Sequence, residues 1–213
     1  MTHACPLCQQ AGAEAFYQDK HRSYFHCLNC DLRFADPASQ LPAVAEKAVY
    51  DQHENDPQDA GYRRFLNRLA QPLLARMGPH QQGLDFGCGP GPTLSVMMQE
   101  HGHKVALYDP FYHADPVVLT QGYDFVTSTE VVEHFCQPQA DWHKLMRCIK
   151  PGGWLGIMTK LAHGNDAFAS WHYKNDPTHV SFYSQQTMTW IAQHYACQVE
   201  FFGADVILFQ TRE

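Results

Sequence analysis

Nowhere in the 213 residues does an uninterrupted apolar run approach the roughly 18 residues that a membrane-crossing helix needs. Residues 1–10 also lack the basic and apolar regions of a signal peptide, so the chain reads as cytoplasmic. Basic charge is scarce, with 15 Lys and Arg against 22 Asp and Glu and a formal net charge of -7. No global field therefore exists to attract a phosphate backbone, which weighs against nucleic acid as the main partner. Dividing the chain does not change this: residues 1–77 hold eight basic against nine acidic residues, and the remainder seven against thirteen. Low-complexity tracts and internal repeats are also missing. A composition of 45% hydrophobic and 17% charged residues excludes disorder as the main state. The length suits one well-packed domain with a small appendage rather than two full domains.

Histidine is abundant instead, at 14 residues, so the charge of the molecule changes under mild acid. Cysteine is present in a telling pattern. Cys5 and Cys8 form one C-x-x-C pair and Cys27 and Cys30 a second, separated by 18 residues. Two residues between thiolates let one tight turn present both sulfurs to a single ion, and two such knuckles close a tetrahedral four-sulfur shell. A closed shell has no open position for water, so the predicted zinc is structural. A disulfide pair and a rubredoxin-type iron site use the same residue types, although a cytosolic compartment disfavours the disulfides. Short aromatic runs around Phe16 and Phe25 suit a small hairpin between the knuckles. Residues 1–34 are read as a zinc ribbon, with Lys20, Arg22 and Arg33 balanced by Glu14, Asp19 and Asp31. The other four cysteines, Cys88, Cys136, Cys148 and Cys197, show no pairing and read as small core residues.

Residues 35–59, polar and punctuated by Pro37, Pro42 and Pro57, read as a linker. Residues 62–77 carry an apolar stripe at helical spacing, with Arg63, Arg64, Arg68 and Arg76 read as a solvated face. Beyond it, strands are predicted at 83–86, 103–108, 123–128, 154–159, 198–202 and 206–210. Helices are predicted at 93–101, 138–150 and 185–195. Such alternation implies an α/β fold with a mostly parallel sheet.

Asp85, Gly87, Cys88, Gly89 and Gly91 end the first of these strands and open a helix, where sheet folds bind nucleotides. Asp109 closes the next strand 20 residues after Gly89, placed to accept ribose hydroxyls. A dinucleotide fingerprint wants a third glycine where Pro92 stands. The carboxylate of Asp85 argues against a pyrophosphate, whereas S-adenosylmethionine, with its ammonium and sulfonium, tolerates a nearby acid.

The run from Leu84 to Gly91, the Tyr108-Asp109-Pro110 triplet, the stretch from Tyr123 through Glu130, Glu133 and His134, and Lys150-Pro151-Gly152-Gly153 resemble the ordered motifs of class I S-adenosylmethionine-dependent methyltransferases. The resemblance covers about residues 60–213, read as one domain. It is strongest toward ubiquinone-type O-methyltransferases, which carry a Glu-Val-x-Glu-His segment after the fourth strand. The implied fold is a Rossmann-like, mostly parallel sheet of the class I type behind the N-terminal zinc ribbon. The implied cofactor is S-adenosylmethionine, with Asp85, Gly87 and Gly89 at its methionine part, Asp109 at the ribose, Cys88, Pro110 and Glu130 beside them, and Tyr62 closing the site. One departure stands out: only 14 residues separate Asp109 from Asp124, too few for the usual helix, third strand and helix. The centre of the sheet is therefore expected to be shortened.

For the chemistry, His134 is the candidate base with Glu133 as its orienter, against a purely structural role at a helix start. A different reading starts a helix near Glu130. Glu130, Glu133 and His134 would then share one face and, with His179, hold a divalent ion, as in the similar two-Glu, two-His set of small-RNA terminal 2′-O-methyltransferases. Trp171, His172, Tyr173, Phe182 and Tyr183 are candidates for a lid or acceptor wall, with buried core aromatics the commoner explanation. The expected activity is methyl transfer to a hydroxyl, amine or carbon of a small molecule. Two rivals are an RNA methyltransferase gripping RNA through the ribbon, and a non-catalytic binding module.

Overall fold

The computed structural model describes residues 3–52 and 56–213. In chain order the elements are strands β1 (His3–Ala4), β2 (Ala11–Gln18), β3 (Ser23–His26) and β4 (Arg33–Ala35), then helices α1 (Ala43–Tyr50) and α2 (Ala60–Leu74). The α/β part continues with β5 (Gln82–Phe86), α3 (Thr93–Glu100), β6 (Lys104–Tyr108), β7 (Tyr123–Thr129), α4 (Pro138–Met146), β8 (Ile149–Met158) and α5 (Gly164–Ser170). It ends with β9 (Ser181–Phe182), α6 (Gln185–His194), β10 (Gln198–Phe202) and β11 (Val206–Gln210).

The main sheet has six strands in the order β10-β11-β8-β7-β5-β6. Strands β6, β5, β7 and β8 run parallel, and the β10–β11 hairpin adds two antiparallel strands beside β8. Strand β6 is an edge, and the chain passes from it to β7 through one 3-10 turn at Pro116–Thr120. The shortened centre expected from the Asp109 to Asp124 spacing is therefore real, and among the described residues no strand lies outside β6.

Alternation along the strands builds a core on each face of the sheet. Leu84, Val126, Leu155, Ile157 and Ile207 point toward α4 and α6, where Trp142, Leu145, Met188 and Ile191 cover them. Phe125, Met158 and Leu208 point the other way, under Leu66, Leu69 and Leu73 of α2 and Leu94 and Met98 of α3. The apolar stripe of α2 is thus a core face. Three of its arginines are ion-paired rather than merely solvated: Arg63 to Glu100, Arg68 to Asp205 at 2.8 Å and Arg76 to Glu200. Helix α4 stops at Met146, not at residue 150, because Ile149 already pairs with Tyr123 in the sheet.

A second sheet, in the order β1-β2-β3-β4-β9, carries the cysteine knuckles. Its last strand comes from the far end of the α/β part, with Arg33 opposite Phe182 and Phe34 opposite Ser181. The buried Cys5, Leu7, Phe25 and Phe34 belong to the same apolar cluster as Trp142 and Ile207, so the ribbon shares a core with the larger domain. Arg22 and Arg33 are buried in this junction. The stretch 35–59 read as a linker contains helix α1 and a 3-10 turn at Pro37–Ser39; His53, Glu54 and Asn55 of that stretch lie outside the described residues. Among the described residues no helix is long and apolar enough to cross a membrane.

Candidate active site

A cavity of about 910 Å³ opens at the carboxyl ends of β5, β6 and β7, the edge at which open α/β sheets bind ligands. Tyr62, Gly87, Cys88, Gly89, Asp109, Pro110, Glu130 and His134 all line it. Gly87 and Gly89 both adopt left-handed backbone, at φ of 78° and 62°. At Gly87 the space is closed as well: a Cβ there would lie 2.6 Å from Val131 Cγ1. The turn brings the Gly89 amide onto Asp109, whose Oδ2 accepts it at 3.0 Å while Oδ1 accepts the amides of Phe111 at 2.8 Å and Tyr112 at 3.2 Å. Three backbone donors fix the Asp109 carboxylate at the cavity wall.

Asp85, expected beside the methionine part of the cofactor, stands behind the wall instead. Its neighbours on the strand face the α4 side, so its own side chain turns toward α3. There Ser95 Oγ donates to it at 2.8 Å and Thr127 Oγ1 at 2.9 Å. Burial pushes this carboxyl up to about 6 despite those two bonds.

Glu130 follows β7 with φ of 52°, left-handed for a residue with a side chain. This ends the reading of a helix starting there: the backbone reverses and only a 3-10 turn follows, at Val132–His134. Glu130, Glu133 and His134 consequently do not share a helix face. Glu130 faces the cavity, and its Oε1 is buried with no hydrogen-bond partner. Burial pushes its carboxyl up to about 7. Glu133 is fully buried and held by Thr159 Oγ1, 3.0 Å away, and by the hydroxyl of Tyr173. Burial, with the charge of Glu130 added, pushes Glu133 up to about 8.

The carbonyl that accepts from His134 Nδ1, at 3.2 Å, is that of Thr178, so the orienting role assigned to Glu133 falls to the backbone. His179 is arranged likewise, its Nδ1 2.7 Å from the Tyr173 carbonyl. A carbonyl only accepts, so Nδ1 carries a proton in each ring. The two rings meet edge to face with centroids 4.7 Å apart. Burial lowers the affinity of His179 for a second proton. One carboxylate oxygen of Glu133 and a ring nitrogen from each of His134 and His179 lie within 4.8 Å of one another; Glu130 is not part of this group.

Several wall residues carried no recognisable signal. Glu46 and Tyr50 come from α1, inside the presumed linker, and Tyr50 meets His134 edge-on at 5.2 Å. The run 43–50, free of proline and glycine and rich in alanine, was the available sign of a helix. Phe111 and Tyr112 follow Asp109, and Tyr112 donates to Asp51 at 2.6 Å. Cys136, read as a core residue, is exposed and lines the cavity. Conversely, Tyr173, Phe182 and Tyr183 are buried behind it, Phe182 against Phe168 and Tyr24 at the ribbon junction, and do not form an acceptor wall.

At the other end of the molecule, the four knuckle sulfurs converge, with Cys5 and Cys30 Sγ 3.6 Å apart and Cys8 and Cys27 Sγ 3.5 Å apart. These are free thiols rather than disulfides. Their spacing is close to the edge of about 3.8 Å of a tetrahedron with zinc–sulfur bonds of about 2.3 Å.

A parallel α/β sheet with a glycine turn and an acid at consecutive strand ends defines a nucleotide-type binding fold. The methyltransferase domain family matches residues 60–200, two thirds of the chain, and the protein belongs to that family. The ubiquinone biosynthesis O-methyltransferase of Klebsiella pneumoniae is 34% identical over 91 residues, 43% of this chain and 38% of its own length. The matched stretch thus spans well under half of that relative. Among solved structures, a 1,6-didemethyltoxoflavin N1-methyltransferase from Burkholderia thailandensis superposes with a TM-score of 0.54 at 16% identity, covering 94% of this chain and all of that one. A methyltransferase from Archaeoglobus fulgidus gives 0.55 at 16% identity, over 70% and 94% of the two chains. These two likenesses establish the fold.

Proposed function

We propose that the protein is an S-adenosylmethionine-dependent methyltransferase acting on a hydroxyl, amine or carbon of a small molecule. The observation that carries this is one cavity lined by Asp109, the glycine turn and Glu130, a carboxylate whose Oε1 is buried without a hydrogen-bond partner. A buried carboxylate oxygen without a donor fits a cationic ligand, and a carboxylate at the end of the second strand fits a ribose. Gly87, Cys88 and Gly89 leave the backbone bare for close approach, with Tyr62 and Pro110 bounding the cofactor. When bound, the cofactor supplies a methyl group on a sulfonium, transferred by in-line displacement. The chain's part is to orient the acceptor and take its proton. His134 lines the cavity with its ring fixed by the Thr178 carbonyl, and it is the base in this reading. A volume near 910 Å³ is at the upper end of small-molecule sites, which run to about 1,000 Å³.

The ribbon cysteines, in this reading, hold a structural zinc. Their free state also suits a reducing, cytoplasmic compartment. An RNA grip on the ribbon is disfavoured because Arg22 and Arg33 are buried and His26 is paired with Asp31, leaving no basic stripe. A second reading of the acceptor side rests on the convergence of Glu133, His134 and His179. In it they hold a divalent cation that binds the acceptor oxygen, and titration with manganese, with and without His179→Ala, distinguishes it from the base reading.

The test of the main proposal is calorimetric titration of S-adenosylhomocysteine into the zinc-containing protein, with Asp109→Ala as control. Binding near micromolar, weakened in the control by about 1 to 3 kcal/mol, supports it. No heat at millimolar ligand refutes it.

A further inference from the structure

The loop of the acceptor half, residues 176–178, connects a 3-10 turn at His172–Asn175 to His179 and β9. The α/β part holds its far end, where His134 Nδ1 meets the Thr178 carbonyl and the Val180 amide donates to the Glu133 carbonyl at 2.9 Å. The group that meets the carbonyls of Asp176 and Pro177 comes from the ribbon. Arg22, 8% exposed, donates through Nη1 to the carbonyls of Pro177 at 3.2 Å and His179 at 2.8 Å. Through Nη2 it donates to the carbonyls of Asp176, at 2.9 Å, and Lys174. Its Nε–H goes to Tyr24 Oη at 3.1 Å, and Tyr24 in turn donates to Asp19. All five guanidinium N–H groups therefore have acceptors, four of them carbonyls within a six-residue stretch.

Four carbonyl dipoles converging on one point repel each other unless a cation with several donors lies between them. Among natural side chains only the planar fork of arginine offers five donors in fixed directions, and lysine has three on a flexible stem. Among the described residues no carboxylate lies within ion-pair distance of this guanidinium, so its charge answers to the loop carbonyls. One of them belongs to His179 itself, whose ring is fixed by Tyr173 and faces His134.

We infer that Arg22 is a positioning residue for the acceptor half of the active site, holding the 174–179 loop from the ribbon and so fixing His179 against His134. This rests on the assignment of that cavity as the methyl-transfer site. It also gives the ribbon a role: it is a scaffold for the catalytic loop, built into the site rather than tethered to it. Docking of the ribbon does not itself depend on Arg22, since the β4–β9 pairing and the bond from Arg33 Nε to Asn165 at 2.9 Å remain without it.

The experiment compares wild type, Arg22→Met and Arg22→Lys as full-length, zinc-loaded proteins. Three readouts are taken: amide hydrogen exchange, the nitrogen chemical shifts of the His179 ring, and S-adenosylhomocysteine affinity. In Arg22→Met the amides of Thr178, His179 and Val180 are expected to exchange at least tenfold faster. His179 should lose its single Nδ1–H tautomer, while zinc content, exchange in β5 and β7, and ligand affinity stay within twofold of wild type. Arg22→Lys should recover the tautomer only in part. An unchanged His179 signal and unchanged exchange at 178–180 would overturn the inference. So would acceleration spread evenly over β1 to β4 with loss of zinc, which would make Arg22 a simple clamp for the ribbon. Failure of wild type to bind S-adenosylhomocysteine would count against the cofactor assignment alone, because the exchange and tautomer readouts need no ligand.

Discussion

Glu130 and Glu133 share the hydroxyl of Tyr173, which lies 3.4 Å from Glu130 Oε2 and is in hydrogen-bond contact with Glu133 Oε1. A phenol has one proton, so it satisfies only one of the two carboxylates well. Glu133, fully buried, takes it together with Thr159. Glu130, which lines the cavity, keeps a buried oxygen without a hydrogen-bond partner, and in the proposed function its carboxylate meets a cationic ligand.

Glu130→Gln should therefore weaken S-adenosylhomocysteine binding by about 1 to 2 kcal/mol without unfolding the protein, since the charge is lost and the shape kept. Burial raises the Glu130 carboxyl to about 7, so the wild-type site becomes more anionic as pH rises through 7 and its affinity for the ligand ammonium rises with it. The Gln variant should show a flatter profile between pH 6 and 8. Calorimetry at three pH values checks both.

Gly87→Ala is expected to cost more than about 2 kcal/mol and to abolish ligand binding, because it combines left-handed strain with a collision against Val131. Gly203→Ala is the control. It has φ of 61° but nothing within 4 Å of the added carbon, so only the strain of about 1 kcal/mol applies. Denaturant melts of both separate strain from crowding.

Asp85 gives a pH signature in stability. Its folded carboxyl is raised by burial to about 6, above its unfolded value near 4, so the folded state holds the proton more tightly. Its contribution is fully present below about pH 4 and is lost as pH rises through about 6. Asp85→Asn should remove that fall, reducing the difference between pH 4 and 7 by roughly 3 kcal/mol. Urea unfolding across that range measures it, and an unchanged slope would mean Asp85 is ionised in the folded protein at all these pH values.

Cys27→Ser should release the zinc assigned to the ribbon, because three sulfurs do not close the shell. As the knuckle sheet runs on into β9, the effect should reach Ser181 and Phe182 as faster exchange, not stop at the ribbon. Metal analysis with hydrogen exchange tests this, and full metal content in the variant would refute the four-cysteine site.

From α2 onward the order of strands and helices, apart from α5 and β9, was legible because each is written in spacing that spans only a few residues. The stripe of Leu66, Leu69 and Leu73, and the alternation of Ile157 with Met158, are examples. The shortened centre was legible too, since 14 residues cannot hold two helices and a strand. Helix α1 was not, because no buried residue anchors it and so no apolar stripe marks it. Nor was the end of α4, where the pull of β7 on Ile149 overrides a helical pattern.

The charged residues show where local reading stops. Counting Lys20, Arg22 and Arg33 against three acids described the ribbon as balanced and said nothing of the burial of the two arginines. Motif position placed Asp85 at the cofactor and Glu133 beside His134 as its orienter, yet strand alternation in one case and a 3-10 turn in the other carry them behind the wall.

By itself, then, the sequence determined the two knuckles, the glycine turn with Asp109 at the following strand end, and the α/β order, because each depends on residues close together in the chain. The tertiary structure decided which carboxylate faces the cavity, that α1 supplies one of its walls, and that Arg22 meets carbonyls more than 150 positions away. Contacts of that length depend on how two sheets dock, and docking is set by the shape of the shared core rather than by any repeat along the chain.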